Sequence, residues 1–318
     1  MTLQTLERLA EENGFDRAYA LAPVRAARPS VHRLNQNVAD DPETLLPGVK
    51  TTILLLKAYA PYAETPGEAT ISAYYPASHA AYRGAAAIAA RLRAEGFRAV
   101  SNAQIAIKPL LVKAGIGRAG RNTLVSVDGL GSRFHVQTIL TDAEMEKSAI
   151  LPIESADACL LCCACVSACP TGAISDDGRL DVDRCLRARG EGEVVPEPLR
   201  RLYENRLLGC EICQDVCPRN ARGARAEMPR ELRESLNLKA LLRGEMTNLS
   251  ETIGKNYARK NRIRMKAALI AGNLRRADVL MELAALKQTG SAGEREYAEW
   301  AMREIEGSRP REGEQKLR

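Results

Sequence analysis

Residues 159–170 read CLLCCACVSACP, five cysteines closed by a proline, and no other stretch of the 318-residue chain restricts its folding so tightly. Written as Cys159-x2-Cys162-x2-Cys165-x3-Cys169-Pro170, it has the spacing of a bacterial ferredoxin motif. In that motif three thiolates wrap three corners of one four-iron cube and the fourth reaches another. A second run, Cys210-x2-Cys213-x3-Cys217-Pro218, is the same motif without its first member, and Cys185 is the remaining cysteine outside both runs. The spacing therefore assigns Cys159, Cys162, Cys165 and Cys217 to one [4Fe-4S] cluster and Cys169, Cys185, Cys210 and Cys213 to another. Cys163 is left as a small side chain packed beside the cluster. Eight thiolates could also form two tetrahedral zinc centres, but zinc knuckles come as separated CxxC pairs without the Cys-Pro ending.

The surroundings fit that chemistry. Residues 1–16, MTLQTLERLAEENGFD, place acids within the first amphipathic turns and lack the basic start and apolar run of a secretory signal. The longest apolar stretches, TTILLLKAYAP and MKAALIAGNL, are shorter than the roughly 18–20 residues needed to cross a bilayer. The expected location is the cytoplasm, without membrane association, where cysteines serve as metal ligands rather than disulfides.

With 45% hydrophobic and 27% charged residues the chain reads as globular, of α+β class, in three segments. Residues 1–150 alternate helical signals (LQTLERLAEENG, HAAYRGAAAIAARLRAEG) with strand signals (TTILLLKAY, FHVQTILTD), predicting an α/β domain. Residues 151–222 carry the cysteines in a loop-rich segment whose folding metal would have to support. Residues 223–318 turn to short amphipathic helices, read as a HEAT-like helical domain with a disordered charged tail; Trp300 and the leucines of VLMELAALK read as its core.

Charge is unevenly placed. The formal net charge is +6, but from Arg219 onward there are 22 Lys and Arg against 14 Asp and Glu. Lys255, Arg259, Lys260, Arg262, Arg264 and Lys266, in KNYARKNRIRMK, contain no intervening acid, and several recur at helical spacing. Such a stripe suits nucleic-acid phosphates, although a solvated helix face produces the same pattern. In AGIGRAGRNTL, Gly115, Gly117 and Gly120 would let backbone approach a bulky or phosphate-bearing ligand, with Arg118 and Arg121 adding positive charge. A glycine-rich turn alone equally serves an ordinary loop.

Three segments together resemble the epoxyqueuosine reductase family: VKAGIGRAGRNTLVSVDGLGSRFHVQTILTD; the cysteine pattern with lone Cys185 and GCEICQDVCPRN; and IGKNYARKNRIRMKAALIAGN followed by AEWAM. The resemblance implies a cobalamin-binding N-terminal domain akin to that of reductive dehalogenases, a double-cluster ferredoxin-like module, and a basic helical domain for tRNA. It implies an oxidoreductase of queuosine biosynthesis in which an external low-potential donor, of ferredoxin or flavodoxin type, feeds two clusters, then cobalamin, then the substrate. It also implies that Gly115, Gly117, Arg118, Gly120, Arg121, Asn122 and Thr123 hold cobalamin, in a chain expected to act as a monomer.

The chain departs from the family at the acid that donates a proton: Ser101 and Asn102 stand there, and neither has a suitable pKa near neutrality. Ala77 and Ser78 likewise replace family residues beside His79. The proton donor is left unassigned, with Tyr75, His79 and Asp142 as candidate substitutes; a histidine ligand to cobalt could come only from His32, His79 or His135. An alternative is an electron-transfer protein or corrinoid activator without its own substrate.

Overall fold

The computed structural model describes residues 1–26, 38–150, 159, 161–192, 194–220 and 224–307. His32 and the charged tail 308–318 lie outside the described residues. The chain divides into two compact units, each assembled from separated segments: residues 1–60, 76–181 and 212–224 in one, and 61–75, 182–211 and 225–318 in the other. Of the cysteines, Cys185 and Cys210 fall in the second unit and the other seven in the first. The three consecutive segments expected from composition thus meet a different division by contact. The cysteine stretch has few buried apolar residues with which to build a core of its own.

In the first unit, α1 (Leu3–Glu12) leads into β1 (Arg17–Leu21), followed by β2 (Thr51–Ala58). Thr2 caps α1 by accepting the Thr5 amide at 3.2 Å. The long helix α2 (Tyr74–Ala94), which belongs to this unit from Pro76 onward, precedes β4 (Ala99–Ser101), α3 (Ile107–Lys113), a small hairpin of β5 (Arg118–Ala119) and β6 (Val125–Ser126), and β7 (Phe134–Thr141). Strands β1, β2, β7 and β4 form one sheet in that order, and every pairing is antiparallel. The mixed helix and strand content agrees with the sequence; the parallel order that alternating elements usually produce does not occur.

Both faces of this sheet are covered, which is why β2 reads as an unbroken apolar run. Ile53 and Leu55 pack with Ile139 against α1 and α2, while Leu54 and Leu56 pack with Leu140 against Leu110 and Leu111 of α3. Alanines at 81, 85 and 89 let α2 lie flat on its layer. Gly84 is required there, because a Cβ would sit 2.6 Å from the Asn13 carbonyl oxygen. The unit also holds two short helices, α4 (Ala164–Ser167) and α7 (Ile212–Asp215), which pack together.

The second unit joins a two-stranded parallel pair, β3 (Thr70–Ile71) and β8 (Arg206–Leu208), to α5 (Leu186–Gly192) and α6 (Glu197–Arg200). Six further helices follow: α8 (Arg230–Ser235), α9 (Leu238–Arg243), α10 (Thr247–Ile253), α11 (Lys260–Asn273), α12 (Leu280–Thr289) and α13 (Ala292–Glu306). Beyond Pro229 the described residues hold no strand, in line with the sequence. Helix α11 packs against α9 and α13, and α12 against the same two. Trp300 and the leucines Leu283 and Leu286 lie in their shared core.

Candidate iron–sulfur cleft and basic socket

The β5–β6 hairpin, the start of α4 and the turn after α7 converge on one cleft in the first unit. Its walls include Gly120, Arg121 and Asn122, the thiol-bearing Cys159, Cys162, Cys165 and Cys217, and also Cys163. The four cysteines assigned from spacing to the first cluster therefore meet at one place. Burial raises the Cys165 thiol above its ordinary value, and neighbouring Cys159 and Cys217 add to the effect. Among the described residues no three His, Cys, Asp or Glu side chains form a ready-made site for a single metal ion.

Local backbone explains how the run turns so tightly. Leu161 and Cys163 both occupy the left-handed region, at φ 50° and 55°, on either side of Cys162, which is exposed. Strained conformations of this kind persist where surrounding structure or a bound group holds them. On the facing loop Thr123 is also left-handed, at φ 60°. Asn122 shapes that loop: its Oδ1 accepts the Leu124 amide at 3.2 Å and its Nδ2 donates to the Cys213 carbonyl at 3.5 Å.

A second lock ties the sheet to the Cys217 turn. The Ser132 amide donates to Asn220 Oδ1 at 2.9 Å, and Asn220 Nδ2 donates to the Gln214 carbonyl at 2.9 Å. The adjacent Gly131 cannot carry a side chain, since a Cβ would lie 2.3 Å from Asn220 Oδ1. Buried Arg133 forms an ion pair with Asp215 of α7. Nothing in the sequence pattern singled out Gln214, Asn220 or this pair.

The glycine-rich turn divides in two. The space beside Gly117 is filled by the protein itself, with Val125 Cγ1 2.5 Å and the Ser126 carbonyl 2.9 Å from where a Cβ would be. Gly115, at φ 74°, faces Ile150. Arg118 belongs to β5. Gly120, Arg121 and Asn122 line the cleft, and Arg121 keeps a buried Nε with no hydrogen-bond partner.

The cysteines of the other set are split between the units. In the first, burial pushes Cys169 up, but hydrogen bonds from Thr171, Ala173 and Ile174 outweigh it and leave its thiol below the ordinary value. Cys213 lies within α7. In the second, Cys185 directly precedes α5, and Cys185 and Cys210 both act on Tyr203. Its hydroxyl is pushed up first by burial and further by Tyr297 and these two thiols.

The three substitute proton donors fare differently. Tyr75 is fully buried in the second unit's core, edge-on to Tyr74 and Tyr257, so the structure corrects its assignment from donor to packing residue. Asp142 is corrected as well. Its carboxylate accepts the Arg98 amide and Nε, each at 2.8 Å, and these bonds hold it below the usual range, so it carries no proton near neutrality. His79 is partly buried; desolvation, then the Arg83 charge, lowers its pKa and keeps the imidazole neutral. Ser101 ends β4 and Asn102 follows it at φ 54°. His135 Nε2 lies 3.0 Å from Gln137 Nε2.

The basic segment does not form one even stripe. Lys255, Arg259 and Lys260 are exposed and Arg262 is partly buried. Arg264 is occupied: it donates to Glu294 at 3.0 Å and to the Leu242 carbonyl at 2.9 Å, which corrects its assignment as a phosphate contact. Lys266 is buried, its ammonium 3.6 Å from the Tyr203 ring centroid. Burial, aided by Arg262, pulls its pKa from 10.5 down to about 7.

That depression has a sign that can be checked. Below about pH 7 the folded and unfolded states both carry the charge, and the desolvation penalty is present in full. Between about 7 and 10.5 only the unfolded state holds the proton, so stability should rise with pH. Thermal unfolding at about pH 9 against pH 7 should show this rise, and a Lys266→Met protein should show a smaller one.

Comparison with known proteins adds three findings. Residues 158–220 match the 4Fe-4S double cluster binding domain. The chain is 39% identical to the epoxyqueuosine reductase of Aliivibrio fischeri over 124 residues, 38% of this chain and 32% of that protein. It is 35% identical to that of Pseudomonas aeruginosa over 233 residues, 68% of this chain and 63% of that protein. In these matches the chain spans less than two thirds of its curated relatives. Its fold is similar to a crystal structure of epoxyqueuosine reductase with an epoxyqueuosine-modified tRNA-Tyr stem loop, with TM-score 0.74 and 22% identity over 95% of this chain and 90% of that one. It is also similar to the epoxyqueuosine reductase of Streptococcus thermophilus, with TM-score 0.72 and 21% identity over 98% and 92%.

Proposed function

We propose that this chain is a cobalamin-dependent reductase carrying two [4Fe-4S] clusters, and that its substrate is epoxyqueuosine in tRNA. The observation that carries this reading is the cleft in which Cys159, Cys162, Cys165 and Cys217 face the Gly120–Asn122 loop. Four soft thiolate donors suit iron of a cubane cluster. Cys169, Cys185, Cys210 and Cys213 would hold the second. Arg121 fits the cofactor side of the cleft, because its buried Nε donor has no partner until an anionic group or a cluster sulfide arrives. Gly117 is packed against Val125 and Ser126, whereas Gly120, Arg121 and Asn122 line the cleft and are the part of the turn placed to meet a corrin.

When bound, these groups supply one-electron carriers and a cobalt centre able to deliver electrons to the substrate. Removing an epoxide oxygen as water consumes two electrons and two protons and leaves a carbon–carbon double bond. The electrons come from an external low-potential protein of ferredoxin or flavodoxin type. The chain's own part is to hold the cofactors, orient the nucleoside and supply protons. Tyr75 is sealed in the core, Asp142 stays ionised against Arg98 and His79 is held as neutral imidazole, so none of the three carries a readily donated proton near neutrality.

The test is turnover. The reconstituted protein with cobalamin and a chemical reductant should convert tRNA bearing epoxyqueuosine to product lighter by one oxygen. A second reading, a substrate-free electron carrier or corrinoid activator, is favoured by Ser101 and Asn102 at the position of the family acid. It predicts full cluster loading with no loss of oxygen from the nucleoside.

A further inference from the structure

We propose that the first turn of α11 is a phosphate socket, in which Arg259, Lys260 and Arg262 receive one phosphoryl group over the buried ammonium of Lys266. A cavity of about 530 Å³ opens here within the second unit, lined by these four residues together with Asn261 and Tyr297. Helix α11 runs for 14 residues, and no side chain caps its N-terminal amides, which leaves donors and the positive end of the helix dipole facing the cavity.

Lys266 is the independent sign of a ligand. It is 3% exposed, and its Nζ has no hydrogen-bond partner. A buried, unpaired ammonium is costly, and folded proteins usually pair it. Stacking over Tyr203 offsets part of that penalty. Arg262, another cation, adds to the cost of its charge. Among the described residues Arg259, Lys260 and Arg262 form no ion pair, whereas Arg264, on the same helix, is matched to Glu294. Lys260 passes beside Gly244, whose φ of 84° favours glycine. Three unpaired cations and the buried Lys266 amine, around uncapped amides, describe a receptor for a compact oxyanion with several acceptor atoms.

The socket is independent of the thiol cleft and deepens the nucleic-acid part of the proposed function by naming one phosphate contact. A backbone phosphodiester and a free phosphate ester share this chemistry, so the experiment uses two probes on the full chain: inorganic phosphate by calorimetry, and a short RNA hairpin by equilibrium binding across salt. Lys266→Met and Arg262→Gln should each weaken inorganic phosphate about tenfold or more, while Lys287→Gln on α12 should not. Methionine keeps the length and removes the unpaired charge, so Lys266→Met should fold with an unchanged or raised thermal midpoint.

If hairpin affinity falls together with phosphate, and its logarithmic salt slope shrinks by about one, the socket holds an RNA phosphate. Should phosphate weaken while the hairpin is indifferent, the socket stands with a small phosphate ester as its occupant. Unchanged phosphate affinity in both variants overturns the proposal and leaves Lys266 as a core residue only. None of these outcomes alters the iron content, which reports on the thiol cleft separately.

Discussion

Cys217→Ala is expected to lower the iron bound by the anaerobically reconstituted protein from about eight atoms per chain to about four. Cys163→Ala should leave it near eight, since the spacing needs no fifth thiolate although Cys163 borders the same cleft. Pairs of substitutions test the partition. Cys165 and Cys217 face one cleft, where burial and then the neighbouring Cys159 and Cys217 thiols raise the Cys165 thiol. Cys165→Ala with Cys217→Ala should therefore still retain about four irons, having lost one cluster rather than two. Cys165→Ala with Cys169→Ala, which removes one ligand from each set, should retain almost none. A double variant at Cys165 and Cys217 that lost all iron would move Cys217 to the other cluster.

Trp300→Ala is expected to destabilise the helical unit by about 3–5 kcal/mol. The ring is 1% exposed and sits where α13 crosses α11. Its contact is close enough to dictate the opposite residue, since a Cβ on Gly272 would lie 2.7 Å from the Trp300 Cζ3 and 3.0 Å from the Ala301 Cα. The Arg200 guanidinium stacks on neighbouring Tyr297 at 4.4 Å and stands 5.6 Å from the Trp300 ring. Removing the indole opens a void among rigid neighbours that cannot close it. Urea unfolding followed by circular dichroism measures the effect, and a loss below about 1 kcal/mol would mean that this crossing is not a cornerstone of the unit.

Much of this arrangement was legible in the sequence, and the parts that were not share a cause. The run TTILLL foretold a buried strand by its local pattern, and the repeated Cys-Pro motif pointed to the thiols that line the first cleft. Partner identity is not local. The antiparallel order of β1, β2, β7 and β4 depends on pairings between residues far apart in the chain, as does the division into two discontinuous units. Arg264 and Lys266 look alike in KNYARKNRIRMK, yet α13 supplies Glu294 to one and the Tyr203 ring covers the other. Tyr75 and Asp142 were plausible proton donors until depth and the Arg98 contact removed them. Gly117 resembled a ligand-approach glycine and instead makes room for Val125 and Ser126 in its own hairpin.

The most direct measurement is metal and corrin content of one preparation. The full chain is reconstituted anaerobically with iron and sulfide, incubated with cobalamin, desalted, and assayed for iron, sulfide, zinc and cobalt. The expected result is about eight irons and eight sulfides with one cobalt retained per chain and no zinc. Zinc in place of iron would contradict the cluster assignment. Full iron with no retained cobalt would contradict the cobalamin-dependent reductase and leave an electron carrier.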